Sequence, residues 1–487
     1  MRIPYKWKAF GAVSLSLFVM VMDQSALNVI LPEIAESFSV RLSIVSWVTI
    51  IGGLTISSTL LPLGKLADLM GRRKVHIIGM GLFGIGSLIC YFSSNISTLL
   101  AGRILSSIGS SMDQAVVMAI VLAVFPKNER GKGLGMITFA VGLGAIAGPL
   151  IGGQISQLIG WRFVFLIMFF PTFLALSLAY LVLKDSLIGS PQSSEKERYD
   201  WKGAIYSALF IIILIINIIN PLNMAYSSPI YWSSWLICIS IFIIFVRSQL
   251  TNPFPMFNLY FFTKWRFSFA VAARLTGFMS NAPFWFLIPF YATIVLGYSI
   301  SLTGILIFLN AVGMSFAGSV GGRLSDKFGT LKFILSGLLA LTISWILLIF
   351  LPSNTPVIYI AFISLFNGAS NGLWMAPNTS ETLEDIDVNS QGIISAFNAL
   401  IRNVGSVIGI SISTTLITFI LITNGLDVEI NDLKTGTDSE ILILANAMRY
   451  AFVMLASFSI LGIILSICGR IKDNSLEIGR ASCRERV

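Results

Sequence analysis

Apolar residues run in blocks of about 20 along nearly the whole chain, each closed by a short polar or charged interruption. That is the length of a helix that crosses the hydrocarbon core of a bilayer. The blocks fall near residues 9–31, 42–63, 76–94, 98–125, 134–158, 162–183, 203–221, 229–246, 268–294, 302–321, 331–351, 356–377, 392–423 and 445–468, which makes fourteen. The 392–423 block is longer than one crossing needs and reads as tilted or extended past the membrane. The opening MRIPYKWKAF leads into an apolar stretch too long for a signal peptide and without a cleavage site. It is read as a retained first span. Backbone groups in lipid must bond within their own segment, so these spans are expected to be helices of an all-α polytopic membrane protein.

Charge orients the spans. With the N-terminus placed in the cytoplasm, twenty-two lysines and arginines fall on the cytoplasmic side, from Arg2 and Lys6 to Arg470 and Lys472. The other side holds four: Arg41, Arg162, Lys434 and Arg449. That bias follows the positive-inside rule, and a missed helix would invert every later loop. The expected location is therefore the inner or plasma membrane, with both termini cytoplasmic. The net charge of +9 then reports topology rather than a nucleic-acid surface.

Composition agrees. The 487 residues are 55% hydrophobic and 11% charged, against roughly 25% charged in soluble domains. Cys90, Cys238, Cys468 and Cys483 show no metal or redox spacing, so neither a metal site nor a disulfide framework is expected. The one histidine, His76, stands at a helix entrance and reads as an interfacial residue. GMGLFG, Gly79 to Gly84, matches a dinucleotide-loop pattern but lies inside an apolar helix, where that reading fails. No phosphate-binding loop or nucleophile elbow appears, so neither a nucleotide-driven pump nor an enzyme is expected, and no cofactor. The last ten residues, 478–487, back-translate to a string resembling a short-read sequencing adapter and are set apart from the fold.

The chain repeats itself. GKLADLMGRRK, Gly64 to Lys74, follows the second span, and GRLSDKFGTLK, Gly322 to Lys332, follows the tenth. Gly64, Asp68 and Gly71 of the first copy recur as Gly322, Asp326 and Gly329, with Arg323 beside them; Arg72 and Arg73 belong to the first copy. Two like halves are expected. Residues 1–183 would form an N-terminal six-helix bundle and 267–472 a C-terminal one. Residues 184–266 would carry a linker and two inserted spans, and 473–487 a tail.

Several motifs resemble the major facilitator superfamily, in particular its fourteen-span drug:proton antiporter branch. MDQSALNVILP, Met22 to Pro32, is similar to that branch's first-span signature. GKLADLMGRRK is similar to its loop signature. LLAGRILSSIGSS, Leu99 to Ser111, resembles the arginine-bearing fourth-span pattern, with Ile108 where Gln usually stands before Gly109. GLGAIAGPLIGGQI, Gly142 to Ile155, resembles the antiporter motif of span five. WRFVFLIMFFP, Trp161 to Pro171, follows a related pattern but has Phe169 in place of its Asn. The resemblance covers the chain to about Lys472.

The expected chemistry rests on few groups. Asp23 and Asp113 are the carboxylates well inside spans, where an ionised acid is costly and is a functional candidate by default. Asp23 lies roughly 22 Å along its helix from Lys8. Burial raises a carboxylate pKa and an arginine lowers it, so such a group can load and release a proton. The resemblance implies proton-coupling roles for Asp23 and Arg103; a structural ion pair is the alternative. Asp113, lining a cavity with Gln114, is a further proton-coupling candidate, next in line after Asp23; a hydrogen bond to a neighbouring helix is the alternative. Asp68 and Asp326 are expected at helix starts, and the resemblance implies a latch holding the state closed to the cytoplasm. Gly142, Gly144, Gly148, Gly152 and Gly153 permit close helix approach and Pro149 a kink; the resemblance implies a seal against leaks.

Arg103, Arg274 and Arg402 outnumber the two acids, which suggests an anionic, zwitterionic or neutral substrate; pairing of each arginine within the protein is the alternative. Asn281, Trp285, Asn371, Trp374 and Asn398 complete the candidate cavity residues. The expected function is proton-coupled efflux of small organic molecules by alternating access. Its expected partners are protons, a small-molecule substrate and the lipid bilayer, not nucleic acid. The alternatives are a same-fold importer or exporter of a metabolite, and a non-transporting sensor or scaffold.

Overall fold

The computed structural model describes residues 4–40, 42–45, 47–188, 199–221, 224, 227–351, 355–384, 386, 390–426 and 437–484. Fourteen of its helices are long and apolar enough to cross a membrane. They are α1 (Tyr5–Phe38), α2 (Trp47–Met70), α3 (Arg72–Tyr91), α4 (Ile96–Val124), α5 (Arg130–Ile159), α6 (Arg162–Val182), α7 (Trp201–Ile219) and α8 (Pro229–Thr251). They continue as α9 (Trp265–Val295), α10 (Ile300–Phe328), α11 (Thr330–Ile349), α12 (Val357–Leu383), α13 (Gln391–Thr423) and α14 (Asp438–Arg484). The fourteen spans expected from the hydrophobic pattern are therefore present. Helical structure runs past the apolar blocks at many ends, because a helix continues through polar residues once it leaves lipid.

Helix α9 is interrupted. Its first stretch ends at Asn281, a second begins at Pro283, and the last turn, Tyr291–Val295, is a π-helix. Pro283 and Pro289 carry no N–H for the helical ladder, so the break falls where they stand. Gly71 (φ 96°) joins α2 to α3, and Gly329 (φ 90°) joins α10 to α11. A side chain would strain that conformation, so both copies of the repeated motif use glycine to re-aim the chain. One expectation is corrected here. Asp68 and Asp326 do not start helices: they lie in the last turns of α2 and α10, because both helices run on to those glycines.

The chain divides into two compact units, Met1–Leu259 with Leu383–Leu400, and Tyr260–Thr382 with Ile401–Val487. In the first unit α1 packs along α5, and α3 packs along α4. Its core includes Met20, Leu27, Phe83 and Phe165. The inserted pair α7 and α8 belongs to this unit. Asp200 caps α7 by accepting from Gly203 N at 2.9 Å, and Gln249 Nε2 of α8 donates to Asp200 Oδ2 at 2.8 Å. Tyr199 Oη donates to Pro62 O of α2 at 3.1 Å. Burial first and the Asp200 charge second push the Tyr199 phenol up to about 12. The second unit packs around Phe284, Tyr291, Trp345 and Phe452. Trp345 and Phe452 are stacked 5.5 Å apart.

Candidate functional site

Small residues bring polar groups together in the first unit. A Cβ on Gly79 of α3 would stand 2.8 Å from Met112 Cβ, and one on Gly102 of α4 would stand 2.7 Å from Cys90 Sγ. Glycine at both places lets α3 and α4 approach at backbone distance. On α5, a Cβ at Gly144 would meet Phe18 O at 2.7 Å and one at Gly152 would meet Ala26 Cβ at 2.8 Å. Gly148 between them is closer still to Ser25 and Met22. Gly142 is buried, Gly153 only touches Val29, and α5 runs through Pro149 to Ile159. The motif residues 144, 148 and 152 thus share the face laid on α1.

That close packing sets Asp23 of α1 opposite Arg103 of α4. Arg103 Nη1 donates to Asp23 Oδ2 at 2.7 Å, and both side chains are almost fully buried. The guanidinium lies against Gly52 of α2, where a Cβ would be 3.3 Å from Arg103 Nη2 and 3.2 Å from Ser107 Oγ. An ion pair buried this deeply holds its charge by the partner rather than by water.

Asp113 forms a second buried centre. It is fully buried, and Ser16 Oγ of α1 donates to its Oδ1 at 2.9 Å. His76 Nδ1 of α3 lies 2.7 Å from the same oxygen. His76 is therefore not interfacial: its side chain is wholly enclosed, and the reading made from its place near a helix start is corrected. Periodicity carried the signal. His76, Gly79, Met80, Phe83, Ser87 and Cys90 are buried residues on one helical stripe. Gln114, beside Asp113, donates Nε2 to Ser110 Oγ at 3.2 Å within its own helix.

The first copy of the repeat forms a cap. Asp68 accepts from Gly392 N at 3.1 Å and Ile393 N at 3.0 Å, the first amides of α13. A carboxylate there meets the positive end of the helix dipole. Gly64 faces the same turn: a Cβ on it would be 3.3 Å from Gly392 O. Arg72 Nη2 stands 3.9 Å from Asp68 Oδ1, and Arg72 Nη1 donates to Ala119 O at 3.4 Å and Ile188 O at 3.1 Å. Arg73 pairs with Asp185 at 3.4 Å and donates to Tyr180 O at 2.8 Å. In the second copy Gly322 is buried, Arg323 is exposed and Asp326 is half-buried.

Arg274 anchors the second unit. Fully buried, it donates Nη1 to Asn378 Oδ1 at 3.2 Å and Thr379 Oγ1 at 2.9 Å, and it lies over the Phe278 ring at 5.2 Å. Trp374 packs edge-on against Phe278, in space left by Gly277 and Gly337. Asn281 is buried, and Asn371 Nδ2 points to Met314 Sδ at 3.3 Å. Asn310 Nδ2 donates to Asn367 Oδ1 at 3.0 Å, and Asn367 Nδ2 to Ser344 Oγ at 2.8 Å. Sequence reading singled out neither Thr379 nor Ser344. Trp285 packs against the apolar core of this unit, away from the Arg274 cluster in character. Arg402 Nε donates to Asn403 Oδ1 at 3.4 Å. Asn398 belongs to the first unit and is fully buried.

Comparison with known proteins follows the same lines. Over 462 residues the chain is 26% identical to the riboflavin transporter RibZ of Clostridioides difficile (strain 630), covering 95% of this chain and 97% of that one. It is 26% identical over 406 residues to the multidrug resistance protein Stp of Mycobacterium tuberculosis (strain CDC 1551 / Oshkosh), covering 82% and 74%. Among solved structures, the proton:xylose symporter XylE matches with a TM-score of 0.65 and 15% identity, covering 95% and 94%. The human organic anion transporter MFSD10 (TETRAN) matches at 0.66 and 14%, covering 95% and 100%. At such identities these two show the fold alone. Residues 13–410 match the model of the Major Facilitator Superfamily, and with fourteen spans and the buried charge pair of its first unit, the chain belongs to that superfamily of membrane transporters.

Proposed function

We propose that the protein exports small organic molecules across the inner or plasma membrane in exchange for protons, with both termini in the cytoplasm. The observation that carries this reading is the Asp23–Arg103 pair, 2.7 Å apart and enclosed by α1, α2 and α4. An acid held by one arginine in a buried site has two stable forms: paired and charged, or protonated with the arginine released to another acceptor. Switching between them as access alternates couples proton flow to conformational change. The relatives named as a multidrug resistance protein and a multidrug transporter protein support export of drug-like compounds.

In this reading Asp68 is a latch. Its carboxylate holds the first turn of α13, and breaking two amide hydrogen bonds frees that helix start. Gly144, Gly148 and Gly152 keep α5 sealed on α1, next to Asp23. The two copies of the motif mark two like six-helix halves, with α7 and α8 inserted.

A second reading is transport of a metabolite. The relative named as a riboflavin transporter aligns over nearly its whole length, which favours it. Arg274, bonded to neutral Asn378 and Thr379, would then act with Asn281, Asn371 and Trp374 on a neutral or anionic substrate.

The test is proton release from purified protein on addition of cationic, neutral and anionic compounds, wild type beside Asp23→Asn. Release that vanishes in the variant supports exchange at Asp23, and the responding compounds report the charge class. Substrate flux without proton release in the wild type overturns the antiport reading.

A further inference from the structure

We propose that His76 and Asp113 form a second proton-binding site in the first unit, separate from the Asp23–Arg103 pair. The chain has one histidine, and it is fully buried against a fully buried carboxylate. His76 Nδ1 lies 2.7 Å from Asp113 Oδ1, and Ser16 Oγ donates to the same oxygen at 2.9 Å. Among the described residues, His76 Nδ1, His76 Nε2 and Asp113 Oδ2 are enclosed polar atoms without a hydrogen-bond partner, so the 2.7 Å approach of Nδ1 to Oδ1 is an ion-pair contact and not an aligned hydrogen bond. A contact made only for packing would leave these three atoms at a cost. A group that gains and loses a proton needs such an open position.

The proton balance is simple. Neutral imidazole carries one N–H, and with that hydrogen on Nδ1, the nitrogen beside Asp113 Oδ1, Nε2 offers a lone pair. One proton added at Nε2 turns imidazole and carboxylate into an imidazolium–carboxylate pair, and its loss reverses the change. Imidazole exchanges its proton within the physiological pH range.

Placement links this site to both functional features. Helix α1 supplies Ser16 and, about two turns on, Asp23; α4 supplies Asp113 and, about three turns earlier, Arg103. The two centres are thus successive rungs between the same two helices. His76 also follows Arg72 by one turn of α3, and Arg72 stands next to the Asp68 that caps α13. Charge gained at His76 is therefore placed between the Asp23 pair and the cap.

Asp113 is the charged group in contact with the imidazole. From α2 comes Asp68, held by Arg72 and by the α13 amides. From the turn Asp185–Ile188 comes Asp185, paired with Arg73. After Arg162 at its start, α6 carries no acid or base except Tyr180. On α3 itself Arg72, Arg73 and Lys74 precede His76.

The experiment is an NMR pH titration of purified protein in lipid nanodiscs, labelled on histidine and carrying a histidine-free tag, so that His76 is the sole reporter. In the wild type its resonances are expected to move with pH across the range scanned. Asp113→Asn displaces the midpoint by about one pH unit or more. Ser16→Ala, which keeps both titratable groups, displaces it by less and serves if Asp113→Asn does not fold. Resonances constant across the range in the wild type, or one midpoint in all variants, overturn the proposal and leave a structural contact. A role for this site in transport rests on the function proposed above, but the titration does not. It is expected to persist in Asp23→Asn, so failure of proton exchange at Asp23 and failure of the second site give different results.

Discussion

At the scale of single residues, Gly52 and Gly53 make a controlled pair. They are neighbours on α2, yet a Cβ on Gly52 would press on Arg103 and Ser107, whereas one on Gly53 would meet nothing within 4 Å. Gly52→Val is expected to push the guanidinium off Asp23, cost about 1–3 kcal/mol and reduce transport at least tenfold, about the rate equivalent of 1.4 kcal/mol. Gly53→Ala is expected to be neutral within about 0.5 kcal/mol and to transport normally. Thermal unfolding in detergent beside flux in vesicles checks both; equal effects would mean that Gly52 does not shape the pair. The buried pairs show what could be read residue by residue. Asp23 and Arg103 stood out because charge inside an apolar run is rare. Gly52 did not, because a glycine outside a recurring small-residue motif leaves no mark until its neighbour is known.

At the scale of elements, a helix start and a helix seam are open to test. Asp68 supplies two acceptors to the first turn of α13. Asp68→Ala removes them, and the expected loss is about 0.5–2 kcal/mol, read as faster hydrogen exchange at residues 392–396 than in the wild type. Unchanged exchange there would show that the cap does not hold the helix. The α1–α5 seam is tighter. Gly148→Val places two methyl groups where Ser25 already stands and is expected to reduce folded yield or render the membrane leaky to protons, whereas Gly153→Ala is expected to be mild. The inserted pair carries a pH signature. Tyr199 ionises only at about 12 when folded, above the usual phenol value of about 10. Its contribution to stability is therefore complete below about pH 10 and is lost as the pH rises towards about 12. Tyr199→Phe is expected to lose less stability than the wild type between about pH 9 and about pH 11. Melting curves at those two values decide it.

At the scale of the whole molecule, the charge bias makes a topological prediction. Asn128 is exposed in the turn before α5, and Ser94 is exposed between α3 and α4. In a cysteine-free background, Asn128→Cys should react with a membrane-impermeant thiol reagent only after the cytoplasmic face is opened. Ser94→Cys should react in intact cells. The reverse pattern would invert the orientation and, with it, the side to which Asp68 belongs. The two motif copies also differ in surroundings: Arg72 and Arg73 are engaged within the first unit, whereas Arg323 is exposed. Sequence similarity between the copies alone conceals that difference.

The sequence by itself determined the helical class, the number of spans, their orientation bias and the repeated motif. Each of these depends on local composition: a bilayer demands about 20 apolar residues per crossing, and loop charge is counted without knowing any contact. It also marked Asp23, Arg103 and the glycines of α5, whose cost or smallness is visible in one helix. The tertiary structure alone decided which groups meet. His76 looked like a boundary residue because its nearest sequence neighbours are Arg72, Arg73 and Lys74; its partner Asp113 lies on another helix, and Ser16 on a third. Asp68 looked like the start of its own helix and instead caps α13, more than three hundred residues away. Helical periodicity tells which face of a helix turns inward. The height at which two faces meet is set by packing, and a buried polar group takes its chemistry from what stands at that height.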